Sequence, residues 1–288
     1  MSFKIAIANL KGGVGKSTTT LFLSETLALF HGLRVLVVDL DPQSNTSFML
    51  LSRDGVDQAE YAGKTLNHFL LETAQGLPAK PDGYIWPRAS DLVELRDPKC
   101  TGRVDLLASI PRMWFVEMIR EKQAYLDNVD PGEQLCRALD EHLAPLTGWY
   151  DVIIFDCPPG FSSLTRAGLL SAQAVISPTI ADAVSIRSLA DFVEFGLGEV
   201  LKLKDRIQHY VIVSKYRPVA HYAREADLLK KRYVVLEPYV RDSVDMANAT
   251  ERIRFDSVRN FRSKYQSMSA DVRKLTDVVH RYVIRLRG

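Results

Sequence analysis

The chain has 288 residues, of which 47% are hydrophobic and 25% charged, and its formal net charge is +2. This composition is enough for a sizeable buried core. No stretch approaches the roughly 18 uncharged residues of a membrane-spanning helix, so we expect no membrane insertion. The three cysteines have neither the even count nor the close spacing of a disulfide framework or a zinc site. We therefore expect a globular protein of the reducing cytoplasm.

Basic residues are concentrated toward the C-terminus. Residues 251–288 carry ten Lys and Arg residues against four Asp and Glu residues, so this segment has a net charge of +6 and residues 1–250 have −4. Such asymmetry indicates an anionic partner, either nucleic acid or a membrane surface. A solvated, charged helix face would give the same pattern, so composition alone leaves both interpretations open.

Short apolar runs alternate with segments of helical period along the chain. The runs predict six buried strands, at 3–10, 34–40, 103–110, 150–156, 174–179 and 209–214. The helical period predicts helices at 16–31, 133–144, 163–172, 184–204 and 222–231. Strands that alternate with helices predict an α/β fold, a mostly parallel twisted sheet with helices on both faces.

Two segments depart from this alternation. Residues 51–102 are rich in Gly, Pro and Asp, and we interpret them as a variable surface insertion with one helix near 65–74. Residues 269–287 have apolar residues at helical spacing and predict a last helix that docks on the core. We therefore expect residues 1–288 to form a single domain, with the insertion at 51–102 and a basic helical segment at 251–288.

The sequence NLKGGVGKSTTT, residues 9–20, has the features of a phosphate-binding loop between a strand and a helix. Glycine at positions 12, 13 and 15 lets backbone amides turn toward phosphate oxygens, and the helix dipole adds positive potential. Lys16 is placed to neutralise the β- and γ-phosphates, Ser17 offers a hydroxyl to Mg²⁺, and Thr18 can donate to a phosphate. Two features are unusual, namely Leu10 where the motif has glycine and the additional lysine Lys11.

Carboxylates follow two other strands at the edge where a parallel sheet binds its ligands. Asp39 and Asp41 are two positions apart, so their side chains would share one face if the strand continued through both. Asp156 ends the run DVIIFD, a pattern that holds Mg²⁺ through its water shell. The three carboxylates and the loop together predict a nucleotide site with a metal ion.

The segments K-G-G-V-G-K-S-T, D-L-D-P-Q and F-D-C-P-P-G resemble three signature motifs of the ParA/MinD family, the deviant Walker-A group of P-loop NTPases. Weaker similarity through 169–189 and 240–249 extends the resemblance over most of the chain outside 51–102. The resemblance implies a Mg²⁺-dependent ATPase with ATP and Mg²⁺ as cofactors. It also implies that Lys11 reaches the phosphates of a partner subunit, which couples nucleotide binding to an ATP-dependent homodimer.

The resemblance implies a role for each matched residue. Lys11, Lys16 and Asp41 would be catalytic, with Asp41 orienting the attacking water, and Ser17, Asp39 and Asp156 would support the metal. Nucleotide contacts are implied at Lys11, Gly12, Gly13, Val14, Gly15, Lys16, Ser17, Thr18, Ser214 and Pro238. The chain departs from the family near the adenine, where Arg241 replaces a proline and Asn248 replaces a glutamate.

Cys157, directly after Asp156, also suggests a comparison with the iron–sulfur branch of the same fold. Ligation of a cluster between subunits needs two cysteines per subunit at the dimer axis, and Cys100 and Cys136 have no matching context. We interpret all three cysteines as ordinary thiols.

Within the family, the C-terminal pattern favours a ParA-type partition ATPase over a MinD-like membrane protein. The end RYVIRLRG predicts a terminal core helix rather than an added membrane tag. Non-specific contacts to double-stranded DNA are predicted for Arg252, Arg254, Arg259, Arg262 and Lys264.

Because the first predicted strand starts at position 3, we expect no preceding helix-turn-helix. The expected partners are a second copy, DNA and a ParB-like activating protein, and the expected location is the cytoplasm, in association with the nucleoid. The alternative is an ATPase that positions a protein complex or acts at a membrane site.

Overall fold

The computed structural model describes residues 2–75, 77, 82–146 and 148–284. A seven-stranded sheet has the order β3-β2-β4-β1-β5-β6-β7, and every pair of neighbours is parallel. The strands are β1 Phe3–Ile7, β2 Arg34–Asp39, β3 Arg103–Leu107, β4 Val152–Asp156, β5 Ala174–Ile180, β6 Gln208–Ser214 and β7 Val234–Leu236. All six predicted strands are therefore confirmed. The three-residue β7 was missed because it is a short edge strand.

Helices cover both faces of this sheet, as predicted. They are α1 Lys16–His31, α2 Asn45–Tyr61, α3 Leu66–Ala74, α4 Met113–Leu126, α5 Pro131–Leu143, α6 Ser163–Ser171, α7 Ala183–Asp191, α8 Ala220–Arg232, α9 Val244–Thr250, α10 Phe261–Tyr265 and α11 Ser269–Val279. The helix predicted at 184–204 is α7 and a π-helical continuation, Phe192–Val200. Helices α2, α4, α9 and α10 were not predicted.

Alternate strand residues supply two separate hydrophobic cores. Ile5 and Ile7 of β1 pack in one core with α1 and α11, whereas Ala6 packs in the other core with α5, α6 and α7. A strand buried on both faces has to be apolar at every position, which explains the continuous Val, Ile and Leu runs.

The segment 51–102 is not a surface excursion, and that prediction is wrong. Thr65 forms a β-bridge with Ala108, directly after β3, and Trp86 forms one with Leu106 of β3. The segment therefore runs alongside the strand at one edge of the sheet. Its buried apolar residues belong to both cores and include Leu51, Val56, Leu66, Phe69, Leu70, Ala89 and Leu92. Gly55 lies inside α2, which is kinked at Ser52, and a Cβ on Gly55 would come within 2.7 Å of the Phe255 ring.

The C-terminal helix docks on the core, as predicted. Val272, Leu275 and Val279 of α11 are buried, and a π-helical turn, His280–Ile284, follows and buries Val283. Residues 285–287, the end of the predicted helix, lie outside the described residues.

Candidate nucleotide site

The glycine-rich loop lies at the carboxyl edge of the sheet, between β1 and α1. Gly13 and Gly15 have φ values of 73° and 87°, a left-handed conformation that favours glycine. Asn9 fixes the start of the loop, because its Nδ2 donates to the Pro178 carbonyl (2.9 Å) and its Oδ1 accepts from the Lys11 amide (3.1 Å). The loop conformation is therefore set by its own glycines and by β5.

Lys16 is folded over this loop. Its Nζ donates to the carbonyl oxygens of Lys11 (3.1 Å) and Asn9 (3.4 Å), and the residue is buried. Burial lowers the pKa of Lys16, and the nearby carboxylates of Asp156 and Asp41 oppose this effect. A buried ammonium held only by carbonyl oxygens is well suited to binding a polyanion.

Lys11 points to a different place. Its Nζ donates to Ser185 Oγ (2.7 Å) and lies 3.8 Å from Asp182 Oδ1, at the first turn of α7. Asp182 is the N-cap of that helix and accepts from the Ser185 amide (2.8 Å). The two lysines of one loop are thus held by different parts of the molecule.

Asp39 and Asp156 are register partners on adjacent strands and are both buried. Oδ2 of Asp39 accepts from the amide (2.8 Å) and hydroxyl (2.7 Å) of Ser47. Burial, together with the charge of Asp156, raises the pKa of Asp39 well above its ordinary value. Strand β2 ends at Asp39, so the premise that the strand continues through Asp41 is wrong.

Asp41 lies just beyond β2, where its Oδ1 accepts from the Gln43 amide (2.9 Å). Burial raises the pKa of this carboxyl group, while the hydrogen bond to Gln43 and the charge of Lys16 oppose the shift. The Asp41 carboxylate therefore lies near Lys16 of the loop and is held in place by the backbone amide of Gln43.

Asp156 has one oxygen engaged and one without a partner. Its Oδ2 accepts from Thr46 Oγ1 (2.5 Å), whereas Oδ1 is buried and has no hydrogen-bond partner among the described residues. Burial raises the pKa of Asp156 to about 6, and the neighbouring Thr46 and Ser17 hydroxyls oppose this shift. An orphaned buried carboxylate oxygen beside Ser17 fits the water shell of a metal ion.

Sequence reasoning missed Thr46 and Ser47, which orient Asp156 and Asp39. The available signal was the pair of hydroxyl residues in DPQSNTS, directly after the predicted strand. Within the described part of the chain, no cluster of three His, Cys, Asp or Glu side chains is arranged to hold a metal. A metal ion at Ser17 and Asp156 would therefore need further ligands from phosphate and water.

A cavity of about 300 Å³ adjoins the loop on the side of β6 and α9. Its walls include Gly15, Thr18, Ser214, Arg241 and Met246. The Ser214 hydroxyl is within hydrogen-bond distance of the Val14 (2.7 Å) and Thr179 (3.2 Å) carbonyl oxygens, so it fastens β6 to the loop.

Two residues near this cavity concern the predicted nucleotide contacts. Pro238, which was predicted to contact the nucleotide, is not among the described residues that line the cavity, whereas residues 240–243 are. Arg241, at the position of the family's proline, donates to Asp271 Oδ2 (2.8 Å) and to the Ser267 carbonyl (3.0 Å). The cavity wall is therefore tied to the start of α11.

Three of the five predicted DNA-contact residues are engaged inside the fold. Lys264 is buried, and its Nζ lies 2.7 Å from Glu25 Oε1 and 2.6 Å from Asp91 Oδ1. Arg259 Nε donates to Asp91 Oδ2 (2.7 Å), and its other nitrogens donate to carbonyl oxygens at the end of α9.

Arg252 is buried and donates to the Ala89 carbonyl (2.7 Å). Because these cations are already paired or enclosed, the prediction of phosphate contacts is wrong for Arg252 and Lys264 and is not supported for Arg259. Arg254 and Arg262 are exposed, as a DNA contact requires.

Cys157 is buried, and burial raises the pKa of its thiol, while Cys100 and Cys136 are half-buried. None of the three forms a disulfide. In the described part of the chain, no helix is both long and apolar enough to cross a membrane.

The parallel seven-stranded sheet with a lysine-bearing glycine loop at its carboxyl edge is an α/β fold of the P-loop NTPase class. The sequence matches the model of the CobQ/CobB/MinD/ParA nucleotide binding domain over residues 5–254. The chain belongs to this family, as its motifs had indicated.

Individual relatives agree with this assignment. The chromosome-partitioning ATPase Soj of Thermus thermophilus is 32% identical over 208 residues, which cover 69% of this chain and 66% of Soj. An uncharacterized protein of Mycobacterium tuberculosis is 30% identical over 226 residues, covering 77% of this chain and 60% of that protein. The chain thus spans about 60% of the length of the curated relatives it matches first.

The fold also matches a solved structure over nearly its whole length. McdA from Cyanothece, solved in complex with ATP, has a TM-score of 0.72 at 20% identity and covers 97% of this chain and 95% of McdA. At this level of identity the likeness concerns the fold alone.

Proposed function

We propose that this protein is a ParA-type ATPase that dimerises on binding ATP, binds DNA without sequence preference and drives the segregation or positioning of DNA. In this proposal a ParB-like protein stimulates hydrolysis, and the protein acts in the cytoplasm on the nucleoid. Membership in the family and the likeness to Soj support the proposal.

The observation that carries the proposal is the divergence of the two loop lysines. Lys16 is folded over the loop and can neutralise the phosphates bound there, whereas Lys11 is held by Ser185 of α7. In this proposal the Lys11 ammonium exchanges Ser185 for the phosphates of a second subunit. It would stabilise transition-state charge from there, as an arginine finger does in other P-loop enzymes.

Mg²⁺ would be held through Ser17 and Asp156, with Asp39 supporting the site through its bonds to Ser47. Bound Mg²⁺ neutralises charge on the β- and γ-phosphates. We assign Asp41 to the orientation of the attacking water, because its carboxylate is held by backbone at the edge of the loop. The cavity at Ser214 would hold the adenine.

The test is to separate ATP binding from assembly. We expect Lys11→Ala to bind a fluorescent ATP analogue as the parent does but to remain a monomer in sedimentation with ATP and Mg²⁺. DNA affinity should then fall, because joining two DNA-binding surfaces increases avidity. Lys16→Ala should instead lose ATP binding itself, because several phosphate charges are left uncompensated.

A matched control distinguishes a bridging role from a structural role of Lys11. Ser185→Ala removes the hydrogen-bond partner of Lys11 but keeps the lysine, so dimerisation should be retained. A Lys11→Ala dimer as tight as the parent's would contradict the proposal.

A second candidate is the positioning of a protein complex. Exposed apolar side chains on α4, namely Trp114, Phe115, Met118, Tyr125 and Leu126, favour a protein contact there. Normal ATP-dependent dimerisation without DNA affinity would favour this candidate.

A further inference from the structure

The exposed cations of the C-terminal segment border a groove of about 750 Å³, between the end of α1, residues 93–96, α10 and α11. Arg262, Arg273 and Lys274 line it. All three are exposed, and none has a carboxylate within 4 Å among the residues that the structure describes. These cations are available to a ligand, unlike Arg252 and Lys264.

The basic side of the groove is packed against aromatic rings and a buried ion pair. Phe30 and Phe261 pack edge to face with ring centroids 4.9 Å apart, and the Arg273 guanidinium lies over the Phe30 ring at 4.5 Å. Stacking on an aromatic ring holds an arginine extended while its N–H groups stay available at its edge. Buried Lys264, two residues after Arg262, fixes α10 to Glu25 of α1.

The two carboxylates of the groove are turned toward partners in the fold. Glu94 Oε1 accepts from the Phe261 amide (2.9 Å), while its Oε2 is buried without a hydrogen-bond partner among the described residues. Asp277 lies 3.0 Å from His31 Nε2. Their charge is therefore partly engaged, whereas the three cations face the groove. The surface is complementary to a polyanion.

A further exposed cation follows α11. Arg281 lies in the π-helical turn His280–Ile284, seven residues after Lys274. Duplex DNA carries one negative charge per roughly 1.7 Å of its axis, so its phosphates are dense enough to meet cations of both segments.

We infer that the groove bordered by Arg262, Arg273 and Lys274 binds the phosphate backbone of double-stranded DNA. This inference rests on the proposed DNA binding. It keeps Arg262 from the residues predicted from sequence and adds Arg273 and Lys274 of α11. DNA is favoured over an anionic membrane because none of the groove residues is an exposed large apolar side chain, which a membrane-surface helix requires.

The experiment compares two triple variants that remove the same charge. One combines Arg262→Gln, Arg273→Gln and Lys274→Gln, and the control combines Arg224→Gln, Lys231→Gln and Arg232→Gln, all exposed cations of α8. Binding to short duplexes of two unrelated sequences is measured by anisotropy, with a non-hydrolysable ATP analogue and Mg²⁺, between about 50 and 200 mM salt.

We expect the groove variant to lose about tenfold or more in affinity for both duplexes, while the control stays close to the parent. The slope of log K against log salt should become shallower by about 0.9 for each phosphate contact removed. ATP-dependent dimerisation, measured by sedimentation, should be unchanged, which confirms that the groove variant is folded. Arg262→Gln alone, which alters no contact of the core, should lose part of the affinity.

The inference would be overturned if the groove variant kept parental affinity, or if the control lost as much. A parent chain that binds neither duplex would contradict the proposed DNA binding itself, and the groove inference with it. If the parent instead bound phosphatidylglycerol–phosphatidylcholine vesicles through these three residues and not DNA, the partner would be a membrane and the inference wrong.

Discussion

Lys16 and Asp41 lie close together in the candidate site but differ in their expected effects. Lys16 is buried over the loop, so its charge acts on any bound phosphate, in the ground state as well as in the transition state. Asp41 is held by the Gln43 amide and has no positive charge to offer a phosphate. Removing Asp41 should therefore affect the chemical step more than binding.

We predict that Asp41→Ala retains ATP and accumulates as an ATP-bound dimer. Its hydrolysis rate should fall by about 100-fold or more, the usual effect of losing a group that orients or deprotonates water. Light scattering reports the dimer, and phosphate release reports the rate. Asp205→Ala, at an exposed carboxylate, is the control, and parental hydrolysis in Asp41→Ala would refute the assigned role.

Helices α1 and α10 are joined by a buried ion cluster rather than by apolar contact alone. Lys264 lies between Glu25 and Asp91, and Tyr265 Oη donates to Glu25 Oε2 (2.6 Å). Burial alone would raise the pKa of Asp91, but Lys264 and Arg259 hold it below its ordinary value. The cluster connects the helix that follows the phosphate loop to the basic segment.

We predict that Lys264→Met destabilises the protein by about 3–5 kcal/mol, because it leaves Glu25 buried without a cation and Asp91 paired with Arg259 alone. Urea unfolding measures the change. Arg262→Met, at an exposed position on the same helix, should stay within about 0.5 kcal/mol of the parent. Equal stabilities of the two variants would mean that the cluster does not hold α10 in place.

The stability of the whole molecule should depend on histidines that are buried without charge. His142 is buried with its ring centroid 4.2 Å from that of Phe69, and neither ring nitrogen has a hydrogen-bond partner among the described residues. Burial lowers its pKa from 6.5 to about 4. The unfolded chain therefore binds a proton at a pH where the folded chain does not, and stability is lost as pH falls from 6.5 toward 4.

We predict that His142→Phe, which keeps a ring against Phe69, removes this part of the acid sensitivity. Between pH 6.5 and 5 the variant should lose about 1.5 kcal/mol less unfolding free energy than the parent. Asp39 and Asp156 act in the opposite direction because their pKa values are raised, so the difference between variant and parent isolates His142. His221→Phe, at an exposed site, is the control, and parallel pH profiles for His142→Phe and the parent would contradict the prediction.

Sequence alone determined the features of this protein that depend on near neighbours in the chain. The six apolar strands and helix α1 follow from periodicity over a few residues. The loop 11–18 follows from glycines and lysines at fixed spacing, and Asp39 and Asp156 follow from their position at strand ends. These signals are local, because backbone conformation and strand direction place the side chains without reference to distant residues.

Only the tertiary structure decided which charged and apolar groups are enclosed. Lys264 and Arg262 contribute equally to the basic charge of the segment. In the fold, however, Lys264 is paired with Glu25, 239 positions away, and Arg262 is exposed to solvent. Gly55 belongs to the segment that was predicted to lie on the surface, yet Phe255, 200 positions later in the chain, packs against it in α2. The hydrogen-bond partner of Lys11 lies on α7, and residues of α9 form part of the wall of the cavity at Ser214. Burial and ion pairing depend on contacts between elements far apart in the chain, so a local pattern cannot specify them.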